Sequence, residues 1–309
     1  MSLSQQPASK PLTAAVIGLG SMGMGMALSL KRAGLDVLGA DVSGEAVSRF
    51  VEAGGRGASN LAEEIKDADI VVSVVVNAAQ TEAILFGPLG IAAGMRRGTV
   101  FVSSATMDPA IARQLAARLE DMGVHYLDAP ISGGQARAAK GELTIMASGS
   151  PTAFAAARPA LEAMATRVYE LGNSAGAGAA FKMINQLLAG VHIAAACEAI
   201  AFAAKQGLDL DKVYEVITAS AGNSWMFENR IPHVLAGDYS PLSAIDIFVK
   251  DLGIIQDMAR AERYPVPLSA AALQMYLAAS GAGMGRDDDA SLARLYAQLS
   301  GATLPGKAE

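Results

Sequence analysis

A glycine-rich turn between two apolar segments constrains the fold of this chain more than any other feature. Residues 14–17 suit a buried strand, and residues 22–33 suit a helix that follows it directly. Between them, Gly18, Gly20 and Gly23 match the pattern G-x-G-x-x-G. The first glycine permits a tight turn, the second lets a pyrophosphate approach the backbone, and the third lets helix and strand pack closely. The N–H groups at the helix start can then bind phosphate charge.

A second strand candidate ends at Asp41, about 20 residues past the third glycine, where a carboxylate that binds the adenosine ribose is expected. In this strand–turn–helix setting the turn predicts a dinucleotide site, although a glycine-rich turn alone is also compatible with a structural role. We expect NAD as the cofactor, because Val42 and Ser43 follow Asp41 and supply no arginine for a 2′-phosphate. The expected cofactor contacts in this region are Gly18, Leu19, Gly20, Ser21, Met22, Gly23 and Asp41.

Apolar strands alternate with amphipathic helices from residue 13 onward, which predicts a parallel sheet with helices on both faces. Residues 70–76 form the most strand-like run and predict a central strand. A loop is expected at residues 77–80, on the edge where open sheets bind ligands. Asn60 with Glu63 predicts a capping box at a helix start.

The second half of the chain is helical in pattern. Residues 178–206 contain almost no charge and predict one helix longer than about 40 Å, at ~1.5 Å per residue. The expected fold class is therefore α/β: a Rossmann-type dinucleotide-binding domain, then a long interdomain helix, then an all-α domain. The expected boundaries are a disordered tail at 1–12, an NAD-binding domain at 13–173 and a helical substrate and oligomerisation domain at 174–309.

A membrane span is the alternative interpretation of residues 187–204. His192 and Glu198 interrupt that run, and a charge at mid-membrane costs about 2.5–3.5 kcal/mol on insertion scales. We therefore expect a buried helix and no membrane partner.

Composition argues against several classes of function. The formal net charge of −6, without a basic cluster, argues against nucleic-acid binding. Cys197 is the single cysteine, which excludes disulfides within the chain and cysteine-based zinc sites, and three scattered histidines argue against any metal site. Residues 1–12 lack the apolar core of a signal peptide, so we expect a cytoplasmic protein.

Lys182 and Asn185 are three residues apart and share one face of the long predicted helix near its start. One interpretation is that Lys182 extends its ammonium group to the surface. The other is a general acid/base whose pKa is lowered by burial, with Asn185 holding a substrate hydroxyl or carboxylate beside it. His192 lies roughly on the same stripe and is expected to be a hydrogen-bonded core histidine.

Ser132, Gly133 and Gly134 follow another strand candidate. Paired glycines can direct consecutive N–H groups at an anion, and the serine hydroxyl adds a donor. The alternative is an ordinary turn before a helix. Lys250 and Asp251 are neighbours in sequence, and we expect them to form an exposed pair of charges without a functional role.

Four motifs occur in order and together resemble the 3-hydroxyisobutyrate dehydrogenase-like (β-hydroxyacid dehydrogenase) family. They are the glycine stretch continuing into Met26 and Ala27, residues 128–134 with Gly141 beyond them, residues 178–185, and residues 248–252. The resemblance implies that Lys182 is the catalytic acid/base and that Asn185 contacts the substrate. It implies that Ser132, Gly133 and Gly134 hold the substrate carboxylate. Cofactor contacts outside the glycine turn are expected at Val76, Asn77, Thr106 and Lys250, the last two by the nicotinamide.

Within this family, residues 75–80, 186–193 and 221–230 resemble a branch that acts on L-threonate. Gln186 stands where many members carry a second asparagine, and Val76-Asn77 replaces the usual Leu-Pro, which favours a polyhydroxylated substrate over a methyl-substituted one. The expected reaction is NAD-dependent oxidation of a small hydroxy acid, L-threonate to 2-oxo-tetronate.

Three other functions stay open at this point. Two are enzymes on the same scaffold, a 2-hydroxy-3-oxopropionate (tartronate semialdehyde) reductase and a 3-hydroxyisobutyrate dehydrogenase. The third is a dinucleotide-sensing regulatory protein without turnover. We expect a homodimer or homotetramer, because one small domain hides only part of so apolar a helix.

Overall fold

The computed structural model describes residues 11–306 and divides into two compact units, one ending at Phe181 and one beginning at Lys182. The tail expected at residues 1–12 lies outside the described residues, apart from its last two positions. The division falls later than residue 173 because the first turn of the long helix packs into the core of the first unit, where Ala179 is buried.

Within the described residues, the first unit contains a nine-stranded sheet flanked by helices. The strands are β1 (Thr13–Ile17), β2 (Asp36–Ala40), β3 (Arg56–Gly57), β4 (Ile70–Ser73), β5 (Val100–Ser103), β6 (His125–Asp128), β7 (Ile131–Ser132), β8 (Leu143–Gly149) and β9 (Ala165–Glu170). The helices are α1 (Gly23–Arg32), α2 (Gly44–Glu52), α3 (Leu61–Glu64), α4 (Ala78–Phe86), α5 (Pro109–Asp121), α6 (Gly134–Lys140) and α7 (Pro151–Met164).

The sheet has the order β3-β2-β1-β4-β5-β6-β8-β7, with β9 beside β8. The first six of these strands are parallel, and their order is that of a dinucleotide-binding fold. The expected parallel arrangement holds for these six strands, and the sheet continues at the far edge with β8, which runs antiparallel to both β6 and β7.

Buried side chains alternate between the two faces of the central strands. Val72 and Val102 pack on one face, and Val71 and Phe101 pack on the other. Because both faces are covered, the strands read as continuous apolar runs rather than alternating ones. β9 lacks such a run, since most of its side chains are exposed, and for that reason the sequence did not predict it.

Three local predictions need correction. The strand expected at residues 70–76 ends at Ser73. The loop expected at residues 77–80 is instead the start of α4, where the Asn77 side chain accepts a hydrogen bond from Gln80 N at 2.9 Å. The expected capping box is wrong in register: Glu64 rather than Glu63 accepts from the backbone N–H of Asn60, at 2.9 Å.

The second unit is helical. Its helices are α8 (Ala177–Lys205), which begins in the first unit, α9 (Leu210–Thr218), α10 (Trp225–Ala236), α11 (Ile245–Ala261), α12 (Pro267–Ala279) and α13 (Leu292–Ser300). Ile193 and Cys197 of α8 pack in one core with Leu252 of α11 and Tyr276 of α12. The Tyr276 hydroxyl donates to the backbone oxygen of Gly190 at 3.0 Å and ties α12 to α8.

A buried ion pair ties α10 to the segment before α13. Arg230 donates to both carboxylate oxygens of Asp289, from Nε at 2.5 Å and from a terminal nitrogen at 3.1 Å. Burial raises the pKa of Asp289 to about 7, and the attraction of Arg230 opposes that rise.

By length and composition α8 could cross a membrane, with a mean hydropathy of 1.9 over its most apolar 18 residues. Half of that window is buried inside the described protein. Core helices of soluble proteins meet the same criteria, so this helix is weak support for a membrane protein.

Candidate active site

The glycine turn follows β1, which lies between β2 and β4. It therefore sits where the strand order reverses, the position at which open α/β sheets bind ligands. Gly18 has a φ of +95°, and a Cβ there would lie 2.4 Å from the backbone oxygen of Val74. A Cβ at Gly23 would lie 1.8 Å from the backbone oxygen of Gly18. Both positions therefore require glycine for the close packing that the motif predicts.

The start of α1 fits a pyrophosphate. A Cβ at Gly20 would meet nothing within 4 Å, and Gly20 and Ser21 are exposed. Met22, the residue that precedes α1, makes no side-chain capping bond, and the first turn carries no acidic residue. Among residues 11–306, the N–H groups of this turn have no side-chain partner, and open space lies beside Gly20, as phosphate binding requires.

Asp41 is joined to the glycine turn. One carboxylate oxygen accepts from Leu19 N at 2.6 Å, and the other accepts from Ser43 N at 2.8 Å. Each oxygen keeps a further lone pair for a ribose hydroxyl. The two backbone bonds therefore hold the predicted ribose ligand at a fixed position relative to the predicted phosphate site.

Val76 and Asn77 follow β4 at the same edge of the sheet. The Val76 side chain is 45% exposed, and its backbone N–H donates to Gln80 Oε1 at 2.8 Å. Asn77 is committed to capping α4, so its side chain has a structural role whether or not it also meets a cofactor. Sequence reasoning missed the role of Gln80, whose side chain in the first turn of α4 accepts this hydrogen bond and fixes the turn.

Thr106 is partly buried after β5, the next parallel strand. Nearby, Ser73, Ser103 and Ser104 have buried hydroxyl oxygens that find no hydrogen-bond partner among residues 11–306. Ser73 pairs with Ser103 across β4 and β5, so these hydroxyls gather at the carboxyl ends of the two strands. No sequence pattern indicated this cluster.

Ser132, Gly133 and Gly134 join the short edge strand β7 to α6. Gly133 and Gly134 have φ values of +135° and +76°, which disfavour any residue with a Cβ. A Cβ at Gly134 would meet nothing within 4 Å. Open space therefore lies beside Gly134, which is compatible with the predicted carboxylate site, whereas a Cβ at Gly133 would lie 3.0 Å from Arg137 Cδ.

Asp128 is a buried carboxylate whose role sequence reasoning missed. It accepts from Gly176 N at 2.9 Å, from Ala179 N at 2.8 Å and from the Ser148 hydroxyl at 3.2 Å. Burial raises the pKa of Asp128, and these donors counteract the rise. Asp128 thus anchors the first turn of α8, the helix that carries Lys182.

Lys182 is buried, with 8% of its surface exposed, so it does not extend freely into solvent. Burial lowers the pKa of Lys182 to about 8; the charge of Asp251 opposes this shift and that of Lys250 assists it. An amine in this range is partly neutral near physiological pH and can both accept and donate a proton. Of the two interpretations of Lys182, the acid/base one agrees with its burial.

Side chains from α8 and α11 form a continuous network. Asn185 Nδ2 donates to Gln186 Oε1 at 2.9 Å, and Gln186 Nε2 donates to Asp251 Oδ2 at 2.6 Å. The ammonium group of Lys250 pairs with Asp251 Oδ1. The expectation that Lys250 and Asp251 form an exposed pair is wrong, since Asp251 is 1% exposed. Two charged neighbours on a helix gave no sign that one of them faces another helix.

His192 is exposed, which corrects the expectation of a core histidine. It borders an open apolar groove of about 900 Å³ formed by α8, α9 and α10.

The structure groups the predicted site residues in two sets. In the first unit the glycine turn is joined to Asp41, with Val76, Asn77 and Thr106 on neighbouring strand ends and the Ser132 turn at the sheet edge. In the second unit Asn185 is joined to Lys250 through Gln186 and Asp251. The charges of Lys250 and Asp251 act on the pKa of Lys182.

Comparison with known proteins covers almost the whole chain. The family model of the NAD binding domain of 6-phosphogluconate dehydrogenase matches residues 13–172, and that of the NAD-binding region of NADP-dependent 3-hydroxyisobutyrate dehydrogenase matches residues 176–296. The expected nicotinamide dinucleotide cofactor is confirmed by these matches.

Individual relatives agree with the family models. L-threonate dehydrogenase of Cupriavidus necator is 54% identical, covering 95% of this chain and 98% of that protein. L-threonate dehydrogenase of Escherichia coli K12 is 50% identical, covering 94% and 96%. A crystal structure of 3-hydroxyisobutyrate dehydrogenase from Salmonella typhimurium is 48% identical, with a TM-score of 0.88 and coverage of 92% and 99%. The similarity extends across both units, so the expected fold class is confirmed.

Proposed function

Because the chain belongs to the 3-hydroxyisobutyrate dehydrogenase-like family and is a dinucleotide-dependent hydroxyacid dehydrogenase, we propose that it oxidises L-threonate with NAD. The reacting hydroxyl is the one next to the carboxylate, and the product is 2-oxo-tetronate. The observation that carries this proposal is a buried lysine with a pKa of about 8, one helical turn from Asn185. It occurs in a chain 54% identical to an L-threonate dehydrogenase.

Lys182 acts as the base. Oxidation of an alcohol requires removal of the hydroxyl proton as the carbon loses hydride. A lysine with an ordinary pKa near 10.4 is almost wholly protonated at neutral pH and cannot take that proton. Burial brings the pKa of Lys182 to about 8, so its neutral form is available. The oxidised nicotinamide, when bound, accepts the hydride. In the reverse direction the Lys182 ammonium protonates the forming alkoxide.

The turn of Ser132, Gly133 and Gly134 holds the substrate carboxylate in this proposal. Support comes from the positive φ of both glycines and from the open space beside Gly134. Consecutive N–H groups at paired glycines, with the Ser132 hydroxyl as a further donor, are suited to bind an anion.

The cofactor is NAD rather than NADP in this proposal. Asp41 supports the choice, because its carboxylate is held by two backbone N–H groups and would face a 2′-phosphate. Two like charges at close range near a surface repel by about 4 kcal/mol. The exposed Val42 that follows offers no compensating charge. Val76, Asn77, Thr106 and Lys250 complete the proposed contacts with the cofactor.

A panel of small hydroxy acids tests the proposed substrate. Purified enzyme is assayed with NAD on L-threonate, D-threonate, D-erythronate, glycerate and 3-hydroxyisobutyrate by the absorbance of NADH. We expect the highest kcat/KM on L-threonate. Faster turnover of 3-hydroxyisobutyrate would instead support the name carried by the Salmonella typhimurium structure. Higher efficiency on glycerate would support a 2-hydroxy-3-oxopropionate reductase. Dinucleotide binding without turnover of any acid would support a sensor.

The second unit leaves large apolar side chains exposed, which supports a homodimer or homotetramer. On α8, Phe202, Ile184 and Leu188 are 65%, 62% and 49% exposed, and the apolar groove beside His192 lies on the same helix. Contiguous apolar surface of this kind marks an interface more often than a free surface. Light scattering at micromolar concentration tests this, and an active monomer would contradict it. The bacterial L-threonate dehydrogenases that resemble this chain support a cytoplasmic location for the enzyme in this proposal.

A further inference from the structure

The hydrogen-bond network around Asp251 has a fixed direction. Asn185 Nδ2 donates to Gln186 Oε1, Gln186 Nε2 donates to Asp251 Oδ2, and Asp251 Oδ1 pairs with Lys250. Gln186 and Asp251 are 7% and 1% exposed, so water has little access to replace either contact. The network therefore runs from a partly buried amide to a buried carboxylate.

The chemistry of Asp251 decides how both amides are turned. A carboxylate oxygen only accepts hydrogen bonds, so Gln186 must direct its NH₂ group toward Asp251. The opposite rotamer would place two acceptor oxygens about 2.6 Å apart in a buried site, without a proton between them. The Gln186 carbonyl oxygen then faces Asn185, which must donate to it through its own NH₂ group.

In this arrangement the carbonyl oxygen of Asn185 is the atom of the two amides that can accept a hydrogen bond from a ligand. Within residues 11–306, no group donates a hydrogen bond to Asn185 Oδ1. That atom carries a partial negative charge, so it attracts a hydroxyl hydrogen and repels a carboxylate. Of the two possible ligands of Asn185, a hydroxyl and a carboxylate, the network thus favours the hydroxyl.

The reacting hydroxyl cannot satisfy both residues. It has one hydrogen, and Lys182, which lies on the same face of α8 as Asn185, takes that hydrogen. We infer that Asn185 Oδ1 binds a second hydroxyl of the substrate, and that Gln186 and Asp251 are positioning residues that hold this oxygen free. The inference rests on the proposed function and narrows its substrate class to acids with at least two hydroxyl groups. An acid with a methyl group at that position leaves Asn185 Oδ1 without a donor.

Substrate analogues test the inference on the unmodified enzyme. In L-threonate, the hydroxyl at C3 or at C4 is replaced by hydrogen or by fluorine. Fluorine is close to a hydroxyl in size but cannot donate a hydrogen bond. At one of the two positions we expect both replacements to lower kcat/KM about 10-fold or more, because a site built for a hydroxyl rejects analogues without one. If fluorine replaces the hydroxyl without loss at both positions, the inference is wrong.

Variants then test whether Gln186 acts through Asn185. Gln186→Met removes both hydrogen bonds at nearly constant volume, and Gln298→Met is the matched control at an exposed position on α13. We expect Gln186→Met to reduce the preference for the hydroxylated acid to within about 3-fold of unity, while Gln298→Met leaves it unchanged. In an Asn185→Leu background, Gln186→Met should change that preference no further.

Each outcome separates this inference from the proposed function. If L-threonate is oxidised and Gln186→Met keeps the full hydroxyl preference, only the inference fails. It also fails if Gln186→Met lowers kcat/KM by the same factor with and without Asn185, which indicates a structural role. If none of the acids is oxidised, the proposed function is wrong and the inference falls with it. If Gln186→Met does not fold, the fluorinated analogues decide the question on the unmodified enzyme.

Discussion

The two units offer their candidate ligands different parts of the chain. In the first unit the groups proposed to face a ligand are mostly backbone: the N–H groups at the start of α1 and the Ser132–Gly134 turn, where the glycines carry no side chain. In the second unit they are buried side chains, with Lys182 beside a network that runs through Gln186 to Asp251. Backbone groups bind without titrating, whereas a buried lysine changes its charge near neutral pH. The first unit is therefore suited to binding and the second to proton transfer.

The strongest test of this difference is Lys182→Ala. We expect kcat for L-threonate oxidation to fall at least ~100-fold, the usual contribution of one acid/base group. The dissociation constant of NAD should change less than about 2-fold, because the predicted cofactor contacts lie mostly in the first unit. Steady-state kinetics and fluorescence titration measure the two quantities.

Two further variants control that test. Lys182→Arg should be as inactive, since a guanidinium does not deprotonate in a protein. Lys205→Ala, at the exposed end of the same helix, should keep full activity. If Lys182→Ala keeps substantial turnover, the second unit does not supply the proton-transfer group, and the difference between the units is wrong.

A smaller effect is expected from Gly133→Val in the first unit. The side chain forces a residue with a Cβ into a φ of +135° and obstructs the proposed carboxylate site. KM for L-threonate should rise about 10-fold or more, with NAD binding intact. Gly98→Val, at a φ of +87° with open space around it, carries similar backbone strain elsewhere in the same unit. If both variants raise KM equally, the Ser132 turn has no specific role.

Asp41→Ala addresses cofactor choice. Hydrogen bonds to a charged group contribute about 1.5–3 kcal/mol, so the preference for NAD over NADP should narrow about 10-fold or more. Asp36 is the exposed first residue of β2, the strand that precedes Asp41, and Asp36→Ala should leave the preference for NAD unchanged. Comparable kcat/KM values for both cofactors in the unmodified enzyme would overturn the assignment of Asp41.

The last expected effect is on stability rather than on activity or cofactor choice, and it is a gain rather than a loss. The pKa of Lys182 is lowered in the folded state to about 8. Stability from this group is therefore present above its unfolded pKa and is lost as pH falls through 8. Replacing it by methionine should remove a penalty of up to about 3 kcal/mol at pH 6–7. Lys182→Met should raise Tm by several degrees there, and less at pH 10. A Tm gain that does not depend on pH would show that folding does not lower the pKa of Lys182.

The same contrast explains what the sequence could predict. The dinucleotide turn is local, since three glycines within six positions and the flanking apolar runs carry its geometry. The long helix was equally clear from its lack of charge. The network around Asp251 joins residues 65 positions apart, and no pattern on α11 indicated that Asp251 is buried while Lys250 stays partly exposed. The role of Asp128 was missed for the same reason, because two of its three donors lie about 50 residues away, at and just before the start of α8.

The expected roles of Lys182, Asn185 and the Ser132 turn depended on a family resemblance as well as on local sequence. A lysine on an apolar helix has two physical interpretations, and burial is what separates them. Local sequence does not report burial. A choice between the two interpretations of Lys182 therefore required the three-dimensional structure.

The pH dependence of kcat/KM for L-threonate oxidation tests the central claim most directly, because it reports the titration of essential groups in the free enzyme. The neutral form of Lys182 is the active base, so activity should rise with pH through a single apparent pKa near 8. The residual activity of Lys182→Ala should lack that limb. If Lys182→Ala retains the same limb at the same pH, another group is the base and Lys182 does not take the hydroxyl proton.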